Sequence, residues 1–233
     1  MSFQQSRVRL QKYLSVLLLL LVCIVVAGVA VKGYFNRAAN KAGVAESAEA
    51  QGVFLSPSAR DILVGSSDAK VVLLEYFDLD CPYCKDYDRL GEKALRERNK
   101  NTSVAFAYRH LPLRYLHPFA LVKAETLECA ASQLPSAKKE ILSSLYLIPF
   151  TSTSTLVGAV AKEFTLDGTQ LQLCVDSGLQ RERVADDMAK AATQGIYSTP
   201  TFVIYKNGVE RARVEGYYFK QVATTIDLLL KEE

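Results

Sequence analysis

The chain has 233 residues, 49% of them hydrophobic, and a formal net charge of +3. That length suits one enlarged domain plus a tail, with apolar sequence enough for a sizeable core. No block of like charge lies outside the N-terminus, which argues against a nucleic-acid-binding footprint.

Arg7, Arg9 and Lys12 precede an uncharged run from Tyr13 to Val31, closed by Lys32. Nineteen residues at ~1.5 Å each come close to spanning a ~30 Å hydrocarbon core. A cleaved signal peptide has a shorter apolar stretch and a small-residue cleavage site, for which Gly28-Val29-Ala30 would serve. The length of the run favours an uncleaved transmembrane anchor over residues 13–32; cleavage would instead give a secreted form. Cys23 follows Val22 rather than a small residue, so a lipoprotein processing site is not expected. The preceding positive charge keeps residues 1–12 in the cytosol. The bulk of the chain is then exported to a compartment where disulfides form and persist.

Residues 33–59, rich in Ala, Gly, Asn and Ser, read as a flexible tether, with Val53-Phe54-Leu55 as a short edge strand. Gly65-Ser66-Ser67-Asp68 is a turn. The apolar stretch Val71–Phe77, broken only by Glu75, predicts a central strand buried on both faces. Pro82 then opens a helix, which continues half-exposed over Lys85–Arg98, and Ser103–Tyr108 is a second strand. Helical segments follow over 119–131, 137–147, 155–164, 170–176 and 179–193. Strand character returns at Thr201–Tyr205, Asn207-Gly208 is a hairpin signal, and Glu210–Val214 is the partner strand. Phe219–Leu230 reads as a closing amphipathic helix. The order is that of a thioredoxin-like α/β fold over residues 60–233, with a helical insertion at about 116–194.

Cys81-Pro82-Tyr83-Cys84 follows the central strand directly. A C-x-x-C at a strand–helix junction is the sequence form of a thiol–disulfide exchange site. The first thiol faces a helix N-terminus, whose unpaired N–H groups and macrodipole favour a thiolate. Cys81 is therefore the candidate nucleophile and Cys84, one turn further in, the resolving partner, with Tyr83 between them placed to tune the thiolate. A zinc site needs two further ligands; there is no second C-x-x-C, and His110 and His117 have no matching pattern, so neither metal nor organic cofactor is expected. Glu75 interrupts an apolar strand six residues before Cys81. A buried carboxylate has a raised pKa and can pass a proton during exchange, or else it is paired with a nearby Lys. Thr199-Pro200 leads into a strand, where Pro is permitted. The residues alone favour a trans bond there.

Three stretches together resemble the DsbA-like thiol–disulfide oxidoreductases: Leu74-Glu75-Tyr76-Phe77-Asp78-Leu79-Asp80-Cys81-Pro82-Tyr83-Cys84, Tyr108-Arg109-His110-Leu111-Pro112-Leu113 and Ser198-Thr199-Pro200-Thr201-Phe202-Val203-Ile204. The resemblance runs from about Leu63 to Leu230. It implies a cis Thr199–Pro200 bond beside the sulfurs, with Thr199, Pro200, Pro82 and Tyr83 meeting substrate. It implies Cys81 as the exposed nucleophile, Cys84 as its partner and Glu75 as the buried acid beneath them. It also implies exported cysteine-containing proteins as substrates, a location at the bacterial cytoplasmic membrane with the catalytic domain periplasmic, and a quinone-linked membrane partner of the DsbB-like or VKOR-like kind. The best-known oxidases of that family carry His where this chain has Tyr83. The isomerases DsbC and DsbG have Tyr there and Thr before the cis proline, but also a dimerisation domain, for which residues 33–59 are too short. An oxidase is the expectation; a reductase or isomerase, or a peptide-binding chaperone module on the same fold, is the alternative.

Cys129 and Cys174 lie in the helical insertion. They are either buried free thiols or a structural disulfide that closes a loop of about 45 residues and adds a few kcal/mol. His110 and His117 are assigned structural or surface roles. Asp78 and Asp80 are placed to set local acidity, and Tyr217-Tyr218 to pack.

Overall fold

The computed structural model describes residues 60–232. The anchor or signal at 13–32, the tether at 33–59 and the strand expected at 53–55 lie outside the described residues. Among the described residues, no helix is long and apolar enough to cross a membrane.

The elements run β1 (Ile62–Val64), β2 (Val71–Phe77), α1 (Pro82–Asp86), a π-helical segment (Tyr87–Glu92), α2 (Lys93–Arg98) and β3 (Val104–His110). The helical block follows: α3 (Ala120–Gln133), a short 3-10 turn (Pro135–Ala137), α4 (Lys138–Leu145), α5 (Thr153–Phe164), α6 (Gly168–Ser177) and α7 (Arg181–Thr193). The chain closes with β4 (Thr201–Lys206), β5 (Val209–Glu215) and α8 (Phe219–Lys231). Strand β1 is an edge strand that the sequence reading did not include. It has three residues, too few for a periodic signal to register.

The five strands form one sheet in the order β1-β3-β2-β4-β5. Strands β2 and β3 are parallel; the other pairings are antiparallel. Strand β2 is buried along its whole length, as a central strand covered on both faces must be. Its two-residue period divides the core. Val71, Leu73 and Phe77 face one apolar cluster with Cys81 and Cys84, whereas Val72, Leu74 and Tyr76 face the other. Edge strand β5 carries Glu210, Arg211 and Arg213 at exposed or half-buried positions, which discourages edge-to-edge pairing. The β4–β5 turn uses Asn207 at φ 52° and Gly208 at φ 77°, the paired positive φ values of a tight hairpin.

Two helices of the insertion start on side-chain caps. Ser152 and Thr155 form a reciprocal capping box on α5, and Asp167 accepts from the Gln170 N–H on α6. The helix expected over 85–98 instead contains the π-helical turn Tyr87–Glu92. Gly91 sits at its tightest contact: a Cβ there would lie 2.8 Å from the Tyr217 hydroxyl and 2.8 Å from the Tyr87 ring.

On the second face of the sheet, Arg109 is buried against Asp61. Its Nε and Nη2 donate at 2.9 and 2.6 Å to the two carboxylate oxygens, and Nη1 donates at 3.1 Å to the Tyr76 hydroxyl. This bidentate pair ties the segment entering β1 to β3 and β2.

Candidate active site

Cys81 is the N-cap of α1, with extended backbone at φ −72° and ψ 120°. Pro82 follows in the first turn, where its missing N–H costs nothing. The Cys81 N–H donates to the Asp78 carbonyl at 3.1 Å, and the Cys81 carbonyl accepts from the Lys85 N–H at 3.1 Å. These bonds fix the strand-to-helix turn that presents the sulfur.

The Thr199–Pro200 bond is cis, and the Cys81 thiol donates to the Thr199 carbonyl at 3.4 Å. Residues 118 apart in sequence thus meet at the sulfur. Neither cysteine is disulfide-bonded to the other, and Cys84 is buried. Cys81 is also buried, with only 3% of its surface accessible, which corrects the expectation of an exposed nucleophile. The cis-proline loop covers it from one side. Pro82 and Tyr83 are the outward-facing members of the motif, with Tyr83 61% exposed.

The two thiols have opposite electrostatics. A hydrogen bond from Cys84 holds the Cys81 pKa down to about 6, with help from the Cys84 and Tyr83 backbone and the Thr199 side chain, against the opposing effect of burial. Burial pushes the Cys84 thiol well above its ordinary value, and the bond to Cys81 and the charge of Glu75 act in the same direction. An asymmetric pair of this kind has one thiolate ready to act and one proton retained.

Glu75 lies on the same face of β2 as the active-site helix. It is buried, and its Oε1 has no hydrogen-bond partner among the described residues. Burial raises its pKa well above the usual carboxylate range, and Glu92 and Asp88 add to the shift, while Lys139 opposes it. Lys139 of α4 sits 2.8 Å from Asp88 and 2.8 Å from Glu92, and 5.2 Å over the ring of Tyr108, the residue paired with Glu75 across β2 and β3. Sequence reasoning missed Asp88, Glu92 and Lys139. Their i,i+4 carboxylates look like an ordinary solvated helix face, and Lys139 lies far along the chain, so only folding brings them under Glu75.

Asp78 and Asp80 prove to be connectors. One Asp78 oxygen accepts from the Asp80 N–H at 2.7 Å; the other accepts from the Leu113 N–H at 2.7 Å and meets His117 Nδ1 at 2.9 Å. Asp80 pairs with the buried Lys123 of α3 at 2.6 Å. His110 is buried and stands 2.7 Å from Glu128. Burial opposes ionisation of Glu128, but His110 and Lys138 together hold its pKa down to about 2. Both histidines therefore have carboxylate partners that their sequence surroundings did not reveal. Among the described residues, neither is bonded to Cys81 or Cys84.

In the insertion, Cys129 of α3 and Cys174 of α6 form a disulfide with Cα atoms 5.9 Å apart. Tyr217 packs edge-on against Tyr87, and Tyr218 is exposed.

A family model described as thioredoxin matches residues 58–218. The chain belongs to the thioredoxin family. Solved neighbours narrow this. Pseudomonas aeruginosa DsbA2 is 27% identical, with a TM-score of 0.58 over 73% of this chain and 94% of that one. A thioredoxin-like oxidoreductase from Silicibacter pomeroyi is 26% identical, with a TM-score of 0.63 over 77% and 98%. BdbD from Bacillus subtilis, at 20% identity and a TM-score of 0.64, shares the fold. The chain is thus similar in fold to DsbA2 and to a thioredoxin-like oxidoreductase. Among curated proteins, it is 33% identical over 146 residues to the Na(+)/H(+) antiporter NhaA 3 of Salinispora tropica, a match that covers 62% of this chain and 22% of the antiporter. The NhaA antiporter of Herminiimonas arsenicoxydans matches at 28% identity, covering 71% and 25%. The chain thus spans no more than about a quarter of the length of these two relatives.

Proposed function

We propose that the chain is a dithiol oxidase that introduces disulfides into exported cysteine-containing proteins while tethered to the bacterial cytoplasmic membrane. The carrying observation is the Cys81 thiol, held down to about 6 while Cys84 is pushed up. A stabilised thiolate favours the reduced form, which makes the corresponding disulfide a strong oxidant.

The reaction starts from the Cys81–Cys84 disulfide. A substrate thiolate attacks Cys81 Sγ, the Cys81–Cys84 bond breaks, and a mixed disulfide forms. Cys84 leaves as a thiolate and takes a proton; Glu75, whose pKa burial raises well above the usual carboxylate range, is placed to supply it. The substrate's second thiolate then attacks its own sulfur in the mixed disulfide. Cys81 departs as a thiolate, and two electrons have passed to the enzyme. Thr199, Pro200, Pro82 and Tyr83 border the sulfur that the substrate reaches. A quinone-linked membrane protein of the DsbB-like or VKOR-like kind takes the electrons away.

The uncharged run at Tyr13–Val31 supports an anchored, extracytoplasmic domain. So does the occurrence of a similar segment within chains named as antiporters. A reductase or isomerase is the second reading, favoured by Tyr83 and Thr199. Equilibration of the Cys81/Cys84 pair with glutathione separates the two. The oxidase requires a potential of about −120 to −180 mV, and a value near about −270 mV, as in thioredoxin, assigns a reductase. Cys81→Ala abolishes catalysis under either reading and would leave a peptide-binding module intact.

A further inference from the structure

Beside the cis-proline loop lies a cavity of about 210 Å³ that the exchange steps do not use. Leu113 and Tyr115 of the β3–α3 connection form one wall, and Met188 and Ala192 of α7 form the other. The floor is apolar: Leu111 and Ile196 are buried members of the core cluster on the second face of the sheet. Tyr197 flanks the cavity on the side of Thr199. Its hydroxyl donates to the Ala192 carbonyl at 3.1 Å, which fixes the ring against the end of α7. Arg114 is the one charged residue of the lining, and it is exposed. An apolar cavity of about 150 Å³ admits benzene, so this one has room for a branched aliphatic or aromatic side chain.

The segment that joins the cavity to the reacting sulfur is an open edge. Among the described residues, the Tyr197 N–H, the Tyr197 carbonyl and the Thr199 N–H make no hydrogen bond. The Thr199 carbonyl accepts from the Cys81 thiol, whose proton is gone in the disulfide form. Residues 197–199 thus offer the donors and acceptors along which an extended polypeptide pairs. In antiparallel pairing, a substrate cysteine opposite Thr199 puts the residue two further along opposite Tyr197. Both side chains then point to the same side, about 7 Å apart along the strand. The cavity wall is also tied to the sulfur. Asp78 receives the Leu113 N–H on its carboxylate and the Cys81 N–H on its carbonyl.

We propose that this cavity is a subsite that selects an apolar side chain two residues C-terminal to the reacting cysteine of a polypeptide substrate. The proposal deepens the exchange reading above and rests on it. Continuity with the sulfur decides the occupant: a polypeptide joined to Cys81 and paired along 197–199 carries that side chain over the cavity. Leu or Phe at this position buries apolar surface against Leu111, Ile196 and Met188, and Ser gains nothing there.

Single-cysteine peptides that differ only in carrying Leu, Phe or Ser at position +2 from the cysteine test this. A fourth peptide carries Leu at −2 and Ser at +2. Two peptide thiols reduce one Cys81–Cys84 disulfide and leave as a peptide disulfide. The readout is the second-order rate constant for loss of the disulfide from the oxidised full-length protein, by acid quench and mass. The Leu and Phe peptides should react about tenfold faster than the Ser peptide, as for an apolar group entering an apolar pocket. The −2 peptide should match the Ser peptide. Ala192→Leu, which fills the cavity from an exposed position, should bring the Leu-to-Ser ratio close to one. Tyr115→Ser, at a position 100% exposed and so without cost to the core, should lower the same ratio. Equal rates for the Leu, Phe and Ser peptides overturn the proposal. So does an equal gain from Leu at −2, or a +2 preference that survives either substitution. No reaction with any peptide overturns the exchange reading, and this subsite with it.

Discussion

The Lys139 ammonium lies 2.8 Å from the Glu92 carboxylate, and it is supplied by the helical insertion to an acidic cluster beneath the active site. Asp88 shares the same ammonium at 2.8 Å, and Ser143 donates to Asp88 at 2.9 Å. Lys139 opposes the rise in the Glu75 pKa that burial, Glu92 and Asp88 produce. Replacing Lys139 with Met keeps the stem and removes the charge. Asp88 then loses its counter-ion and Glu92 keeps only Arg96, at 3.4 Å; breaking a buried pair costs about 3–5 kcal/mol. Thermal or urea unfolding of Lys139→Met measures the loss. Adding Glu92→Gln recovers part of it, because one of the stranded charges is gone. Equal stability of Lys139→Met and the parent would show that solvent already screens the cluster.

Glu75→Gln separates stability from turnover. Burial and two acidic neighbours raise the pKa of the parent carboxyl, so folding at neutral pH must either protonate it or bury its charge; a neutral isostere removes that cost and raises the unfolding midpoint. The same change removes the proton donor for Cys84 and slows turnover by about 10²-fold or more. A Gln variant with undiminished turnover would assign the proton to solvent.

The Cys81 thiol titrates with a pKa of about 6 in the fold, against an ordinary value of 9.0. In the reduced protein, alkylation by iodoacetamide should rise with pH through a midpoint near 6. The folded-state pKa is depressed, so between pH 6 and 9 the reduced fold binds fewer protons than the unfolded chain at this site. This site's contribution to the stability of the reduced form is fully present above about pH 9 and is lost as pH falls through 6. Denaturant unfolding of the reduced protein from pH 5 to 9 tests the sign: a flat profile rules out the depressed thiol.

The Cys129–Cys174 bond closes a loop with a sequence separation of 45. Crosslinks of that span stabilise by roughly 3–4 kcal/mol in the chain-entropy model. Cys129→Ala with Cys174→Ala should lower the unfolding free energy by that amount. Alkylation of the denatured, non-reduced parent should leave both cysteines unlabelled. Two labelled thiols would mean that the bond does not form.

The order of elements was legible because each signal was local. Strand β2 was bounded by its own apolar run, Asn207-Gly208 by the backbone freedom of a tight turn, and the insertion by five stretches of helical periodicity. The C-x-x-C motif carried its chemistry for the same reason, since spacing and junction lie within four residues. Strand β1 was too short to register. The π-helical turn at Tyr87–Glu92 depends on Gly91 meeting Tyr217, which lies near the far end of the chain.

By itself, the sequence located the Cys81/Cys84 pair at a strand–helix junction, pointed to thiol exchange and marked an unusual acid at Glu75, because each is written in neighbouring residues. Only the tertiary structure decided what surrounds them. It buried Cys81 under the Thr199 carbonyl, placed Lys139 between Asp88 and Glu92, and paired His117 with Asp78 and His110 with Glu128. Hydrogen bonds and charge coupling act over a few ångströms, and residues separated by tens of positions come within that range only once the sheet and the insertion have packed together.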